Sequence, residues 1–278
     1  MLREGLFFAT HDGVELRGDL YLPEGRGPHP ALVAAPGGAW LRGDRKGLSR
    51  WGEYLSARGI AVFSVDYRRS TAGRIFPENV RDVAAAARFV SARSGDLDID
   101  PARIGLLGAS AGGHLTALAA LAGDTPVARD GYPNDVGAGT PLNPKVLVTV
   151  YGVFDLAAHW QADSVKPAGP DGDVTERMLG GTPGDNAALY RLASPVTHVL
   201  DSASRPPVLV VWGDSDVDVL PAQSQTFAKA LAEAGYPTQT LPVEGAGHFW
   251  FSKDEINSPF NAFVASQLMD FLKANLVA

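Results

Sequence analysis

Eight short apolar runs, separated by longer amphipathic stretches, predict an α/β layered fold built on a mostly parallel sheet flanked by helices. Two further observations support this. The runs are near-continuous in Val, Ile, Leu and Ala, as expected of strands covered on both faces rather than one. The stretches between them carry apolar residues at helical spacing, clearest at Val80, Val83, Ala84, Ala87 and Val90.

Taken in order, residues 4–10 and 14–22 read as two strands joined by the turn His11-Asp12-Gly13. They precede the strand–helix alternation, so an antiparallel edge is expected there. Residues 31–35 form a buried run bounded by Pro30 and Pro36, and 60–65 form the next. Strands follow at 103–107, 146–151, 207–212 and 238–243. Helices are expected at 47–58, 78–94, 111–122, 221–234 and 259–274. Two stretches break the rhythm. Residues 123–144 are rich in Gly, Pro, Asp and Asn and read as a surface loop. Residues 157–206 carry Trp160, Pro167, Pro170, Gly180, Gly181 and Pro195 and read as irregular. Long irregular stretches within a compact fold usually serve function, so both are expected to act as lid or pocket wall.

Composition narrows the function. The 278 residues carry a formal net charge of −7, which argues against a general nucleic-acid or anionic-membrane surface. No cysteine is present, which excludes a disulfide framework, a thiolate metal site and a cysteine nucleophile. The N-terminal stretch lacks the apolar core of a signal peptide, and no window resembles a membrane span; a cytoplasmic protein is the simplest expectation.

Gly108-Ala109-Ser110-Ala111-Gly112 matches Gly-x-Ser-x-Gly. In a chain with 31 glycines the pentapeptide alone says little. Its setting says more, because it follows the strand at 103–107 and opens the helix at 111–122, as a nucleophile elbow requires. So tight a turn strains the serine and leaves no room for a Cβ on its glycine neighbours. The Ala111 N–H then sits at a helix N-terminus, where an oxyanion is welcome. A serine needs a base. Of six histidines, His114 is assigned to packing or hydrogen bonding, and His11, His29, His159 and His198 lie in early loops or the irregular stretch. His248 falls in the loop after 238–243, able to reach across the top of the sheet. The acid lies after 207–212, in Gly213-Asp214-Ser215-Asp216-Val217-Asp218. The spacing Gly-x-x-Asp-x-x-Val selects Asp216, with Asp214 in reserve; Asp214 and Asp218 are assigned to turn and cap chemistry. Ser110, Asp216, His248 is the chain order of α/β-hydrolases.

With these motifs in place the chain resembles the α/β-hydrolase superfamily, and within it the esterase branch of hormone-sensitive-lipase-like and feruloyl-esterase-like (BD-FAE-type) carboxylesterases. The resemblance rests on Pro36-Gly37-Gly38-Ala39-Trp40, Asp66-Tyr67-Arg68, Phe76-Pro77 with Asp82, Asp100-Pro101-Ala102-Arg103-Ile104, the Ser110 elbow with Gly113-His114, Ala193-Ser194-Pro195, the Asp216 loop and Gly247-His248. It implies an α/β-hydrolase fold spanning 1–278 as one domain, a small lid insertion at 157–206 and no N-terminal helical cap. It also implies oxyanion-hole N–H groups at Gly37 and Gly38 beside Ala111. The branch usually reads His-Gly-Gly-Gly where this chain has Pro36-Gly37-Gly38-Ala39, so the bracing role of that histidine must pass to another group. Trp212 likewise stands where the family often has His.

The expected activity is hydrolysis of a small-to-medium carboxylic ester through an acyl-enzyme, with Ser110 as nucleophile, His248 as base and Asp216 as its orienter. The same machinery could serve an amidase, a carbamate hydrolase, a peptidase or an acyltransferase; a non-catalytic sensor on this fold is the remote alternative. No cofactor or metal is expected, and the partner is a small ester met by a monomer or homodimer. Trp40, Trp160 and Trp250, with Phe249 and Phe251, are the candidate pocket walls, and Trp250 leads among them.

Overall fold

The computed structural model describes residues 1–129, 132–167, 172–202 and 204–277. Residues 130–131 of the expected 123–144 loop, and 168–171 and 203 of the expected lid, lie outside the described residues.

One eight-stranded sheet organises the chain. Its strands are β1 (Leu2–His11), β2 (Val14–Tyr21), β3 (His29–Ala35), β4 (Ala61–Val65), β5 (Ile99–Ala109), β6 (Leu147–Val150), β7 (Val208–Gly213) and β8 (Thr238–Val243). The spatial order is β1-β2-β4-β3-β5-β6-β7-β8. β1 and β2 pair antiparallel, β2 joins β4 antiparallel, and every later pairing is parallel. The antiparallel edge expected before the alternation is therefore present. Between strands run α1 (Ser49–Ser56), α2 (Glu78–Ala92), α3 (Ala111–Ala122), α4 (Pro126–Arg129), α5 (Leu156–Ser164), α6 (Val174–Leu179), α7 (Ala187–Ala193), α8 (Pro221–Glu233), α9 (Trp250–Lys253) and α10 (Pro259–Leu272).

The continuous apolar strands have a direct cause. Successive side chains of one strand enter different cores: Val208, Val210 and Trp212 of β7 face one, Leu209 and Val211 the other. The first core is closed by α2, α3 and α8, the second by α1 and α10. In β4, β6 and β7 neither face meets water, so neither needs polar residues, whereas β1, β2 and β8 keep exposed positions. No helix among the described residues is long and apolar enough to cross a membrane.

The two irregular stretches are more ordered than their composition suggests. Residues 157–206 contain most of α5 and all of α6 and α7, each started by a side-chain cap: Asp155 accepts from Ala158 N–H, Asp173 from Thr175 and Glu176 N–H, and Asn186 from Leu189 N–H. These caps satisfy orphan amides of helices too short to carry a strong periodic signal. The 123–144 stretch is tied down by long-range bonds instead. Arg88 donates to the carbonyls of Gly123, Ala128 and Thr140. His11 Nε2 bonds Asp135 Oδ2 at 2.7 Å, while its Nδ1 bonds buried Asp82 at 2.5 Å. Tyr132 stacks on His11 at 3.5 Å between ring centroids, and Arg68 joins Asp82 to Asp12.

Candidate active site

Three loops at the carboxyl ends of β5, β7 and β8 meet above the sheet. Ser110 follows β5 and stands at the N-cap position of α3 with φ 54° and ψ −123°, outside the ordinary regions for an L residue. Such strain persists only where the surroundings enforce it. Here they do: a Cβ on Gly112 would overlap the Ala35 carbonyl oxygen, and one on Gly108 would overlap that of Gly112. The two glycines let α3 start against β3 and β5 and hold Ser110 at the turn's apex.

Ser110 Oγ lies 2.9 Å from His248 Nε2. His248 Nδ1 lies 2.6 Å from Asp216 Oδ2. The other Asp216 oxygen accepts from the N–H groups of Asp218 and Val219, each at 2.9 Å. A carboxylate so held can only receive from Nδ1–H, which leaves Nε2 open to the serine hydroxyl. Asp216 is buried, whereas Asp214 accepts from the Ser215 hydroxyl beside it and from Gly245 N–H in the loop after β8. The structure thus brings Ser110, His248 and Asp216 into one contact chain and leaves Asp214 in turn chemistry.

The loop after β3 forms the opposite wall. Gly37 packs on Ser110, where a Cβ would stand 3.1 Å from the serine Cβ. Gly38 turns at φ 123°, and a Cβ there would overlap the Arg42 carbonyl. Ala39 and Trp40 follow at φ 52° and 56°. Ala39 lines the cavity above Ser110; Gly37 and Gly38 do not. The bracing that the family assigns to a histidine comes from two other groups. Tyr67 Oη donates to the Pro36 carbonyl at 2.9 Å. Trp40 Nε1–H donates to His114 Nδ1 at 2.9 Å, and the Trp40 carbonyl accepts from Ser70 N–H. An indole nitrogen only donates, so the His114 proton sits on Nε2, which donates to the Ala193 carbonyl at 2.8 Å. Full burial pushes the His114 pKa down to about 4.

The cavity over Ser110 has a volume of about 540 Å³. Trp40, Val153, Val219 and Phe249 give it apolar wall, while His159, Asp163, Lys166, Asp173, Glu176 and Asp218 give it polar wall. The expected tryptophans divide. Trp40 lines the cavity. Trp160 stands behind it, its indole donating to Glu176 Oε1 at 2.6 Å. Trp250 is not on the cavity wall: it is 3% exposed and lies edge-on to Tyr151, whose ring lies 4.4 Å from that of His248. The one-residue offset follows from Phe249, whose φ of 71° turns α9 inward and leaves Phe249 itself, 44% exposed, at the cavity mouth. Sequence reading also passed over His159 and Lys166, which carry no motif. Lys166 ties α5 to the acid loop, bonding Asp163 Oδ1 at 2.5 Å and the Val217 carbonyl at 2.9 Å.

The BD-FAE family profile matches residues 18–231. The chain belongs to the BD-FAE family, in the esterase branch of the α/β-hydrolases. This BD-FAE member is 32% identical over 232 residues to Esterase LipC of Mycobacterium tuberculosis (strain ATCC 25618 / H37Rv), covering 80% of this chain and 53% of that protein. It is 29% identical over 233 residues to isoprenylcysteine alpha-carbonyl methylesterase ICME of Arabidopsis thaliana, with 83% and 53% covered. The chain spans about half the length of the curated relatives it matches. Among solved structures, the apo form of Thermogutta terrifontis esterase 2 superposes with a TM-score of 0.77 at 24% identity, covering 98% of this chain and 94% of that one. That similarity establishes the α/β-hydrolase fold.

Proposed function

We propose that this BD-FAE member is a carboxylic ester hydrolase acting through an acyl-enzyme. The contact chain from Asp216 through His248 to Ser110, opening on a cavity, carries this reading. The named esterases among its relatives support the bond type. Ser110 Oγ attacks the ester carbonyl as His248 Nε2 takes its proton, and Asp216 stabilises the imidazolium. The same proton passes to the leaving alcohol. Water, activated by His248, then cleaves the acyl-serine. The developing oxyanion is held by the Ala111 N–H together with N–H groups of the loop after β3, where Gly37 and Gly38 are the expected donors and Ala39, on the cavity wall, is a third candidate. Residues 157–206 serve as the roof of one hydrolase domain spanning 1–278.

A fluorophosphonate probe tests this. The wild type is expected to be labelled and Ser110→Ala not, and aryl esters are expected to be cleaved faster than matched anilides or carbamates. Absence of wild-type labelling overturns the proposal, and equal rates on anilides would move the assignment to an amidase.

A further inference from the structure

His159 sits on α5, in the roof of the catalytic cavity. It is only 6% exposed, and what is open lies on the wall of that cavity and of a smaller neighbour of about 120 Å³. Its Nε2 is in ion-pair contact with Asp163 Oδ2 at 3.3 Å, on a carboxylate whose other oxygen is taken by Lys166, and among the described residues its Nδ1 has no hydrogen-bond partner. Buried polar groups are normally paired, and one left open on a cavity wall points to a partner that arrives from outside. Burial lowers the pKa of this imidazole, so it is neutral; with its N–H on Nε2 towards Asp163, its Nδ1 is left as an acceptor.

The surroundings define what could meet it. Trp40 lies with its ring centroid 6.4 Å from that of His159, so the imidazole is beside the loop facing Ser110. Val153 and Val219 are apolar; Asp163, Asp173, Glu176 and Asp218 line the same cavity with one cation, Lys166, which is itself paired with Asp163, so the wall opposes an anion. A hydroxyl, a neutral group that can donate to Nδ1, matches this imidazole. We propose that His159 is a specificity-determining residue that hydrogen-bonds a hydroxyl on the bound ester. The enzyme then prefers neutral hydroxylated esters to their apolar isosteres. This rests on the ester-hydrolase reading of the same cavity.

The test uses two isosteric pairs. Methyl 3-hydroxybutyrate against methyl 3-methylbutyrate places the hydroxyl in the acyl part; 2-hydroxyethyl butyrate against propyl butyrate places it in the alcohol. Wild-type kcat/KM is expected to favour the hydroxylated member of at least one pair by about tenfold, the size of one net hydrogen bond. His159→Phe should bring that ratio close to one, mainly through KM. His159→Gln, which keeps a donor and an acceptor, should retain part of it. A purely structural role would lower both members of a pair alike. Fluorophosphonate labelling of each variant reports that its site is assembled. No wild-type preference in either pair, or a preference that survives His159→Phe, overturns the proposal while labelling persists. If the wild type is neither labelled nor active on any of the four esters, the ester-hydrolase reading itself has failed.

Discussion

Trp40 and His114, 74 residues apart, share a buried hydrogen bond of 2.9 Å that fixes the tautomer of the histidine. One neutral imidazole thereby joins the loop after β3, the helix behind Ser110 and, through the Ala193 carbonyl, the roof helix α7. Its charge state sets a pH dependence. Unfolded, the ring titrates near its ordinary 6.5; folded, burial holds it down to about 4. Between those values the unfolded chain binds a proton that the folded one refuses. Stability should therefore fall as pH drops from 6.5 towards 4. Urea unfolding at pH 7 and pH 5 is expected to show a larger loss for the wild type than for His114→Gln, and equal losses would refute the assignment.

His11 should behave in the opposite sense. Burial opposes its charged form, but the hydrogen bonds its ring donates to the Asp135 and Asp82 carboxylates, with their charge, outweigh this and raise its pKa. Their stabilisation is complete below the unfolded pKa of about 6.5 and is lost as pH rises through the folded value. Arg68, Tyr132 and Asp12 complete the surroundings of the ring. His11→Gln is expected to cost more stability at pH 6 than at pH 9. Amide exchange across 132–142, corrected for intrinsic rates, should be slower in the wild type at the lower pH.

Asp216→Asn should keep the fold and lose the chemistry. The amide can still accept at one atom but imposes the wrong tautomer on His248, for a loss in kcat on the order of 10³- to 10⁴-fold. Hydrolysis of p-nitrophenyl butyrate checks this, with thermal unfolding as control. A loss of only a few fold would remove Asp216 from its proposed role.

Phe249 and Trp250, adjacent in sequence, should separate cleanly on truncation. Trp250→Ala removes the ring supporting Tyr151 under His248 and should cost about 3–5 kcal/mol. Phe249→Ala, at the half-exposed mouth, should cost less than about 1 kcal/mol. It should instead change the relative rates on p-nitrophenyl esters from acetate to octanoate. The reverse assignment of the two effects would return Trp250 to the cavity wall.

What could be read from sequence alone follows from how local each cause is. The central strands were legible because both faces of the sheet are covered there, so β4, β6 and β7 are predominantly apolar. Ser110, Asp216 and His248 were legible because each follows a strand and carries its own short pattern. The roof helices α6 and α7 were hidden because they are 6 and 7 residues long and start on single capping side chains. Trp250 was misplaced by one residue because the left-handed Phe249 leaves no mark in composition. His159 was passed over because its meaning depends on its place on the cavity wall, which only the packed structure reveals.

The hydrogen bond between Ser110 and His248 spans 138 residues of chain. The serine, the acid loop and the base follow β5, β7 and β8, so their contact requires β6, β7 and β8 to be seated beside β5. Non-local pairings of this kind form late and slowly. No stretch of chain ending before residue 248 holds the histidine, so nothing emerging earlier during synthesis contains a working site. Covalent capture of Ser110 by a fluorophosphonate during refolding would therefore time the docking of the last parallel strand, rather than the first collapse of the core.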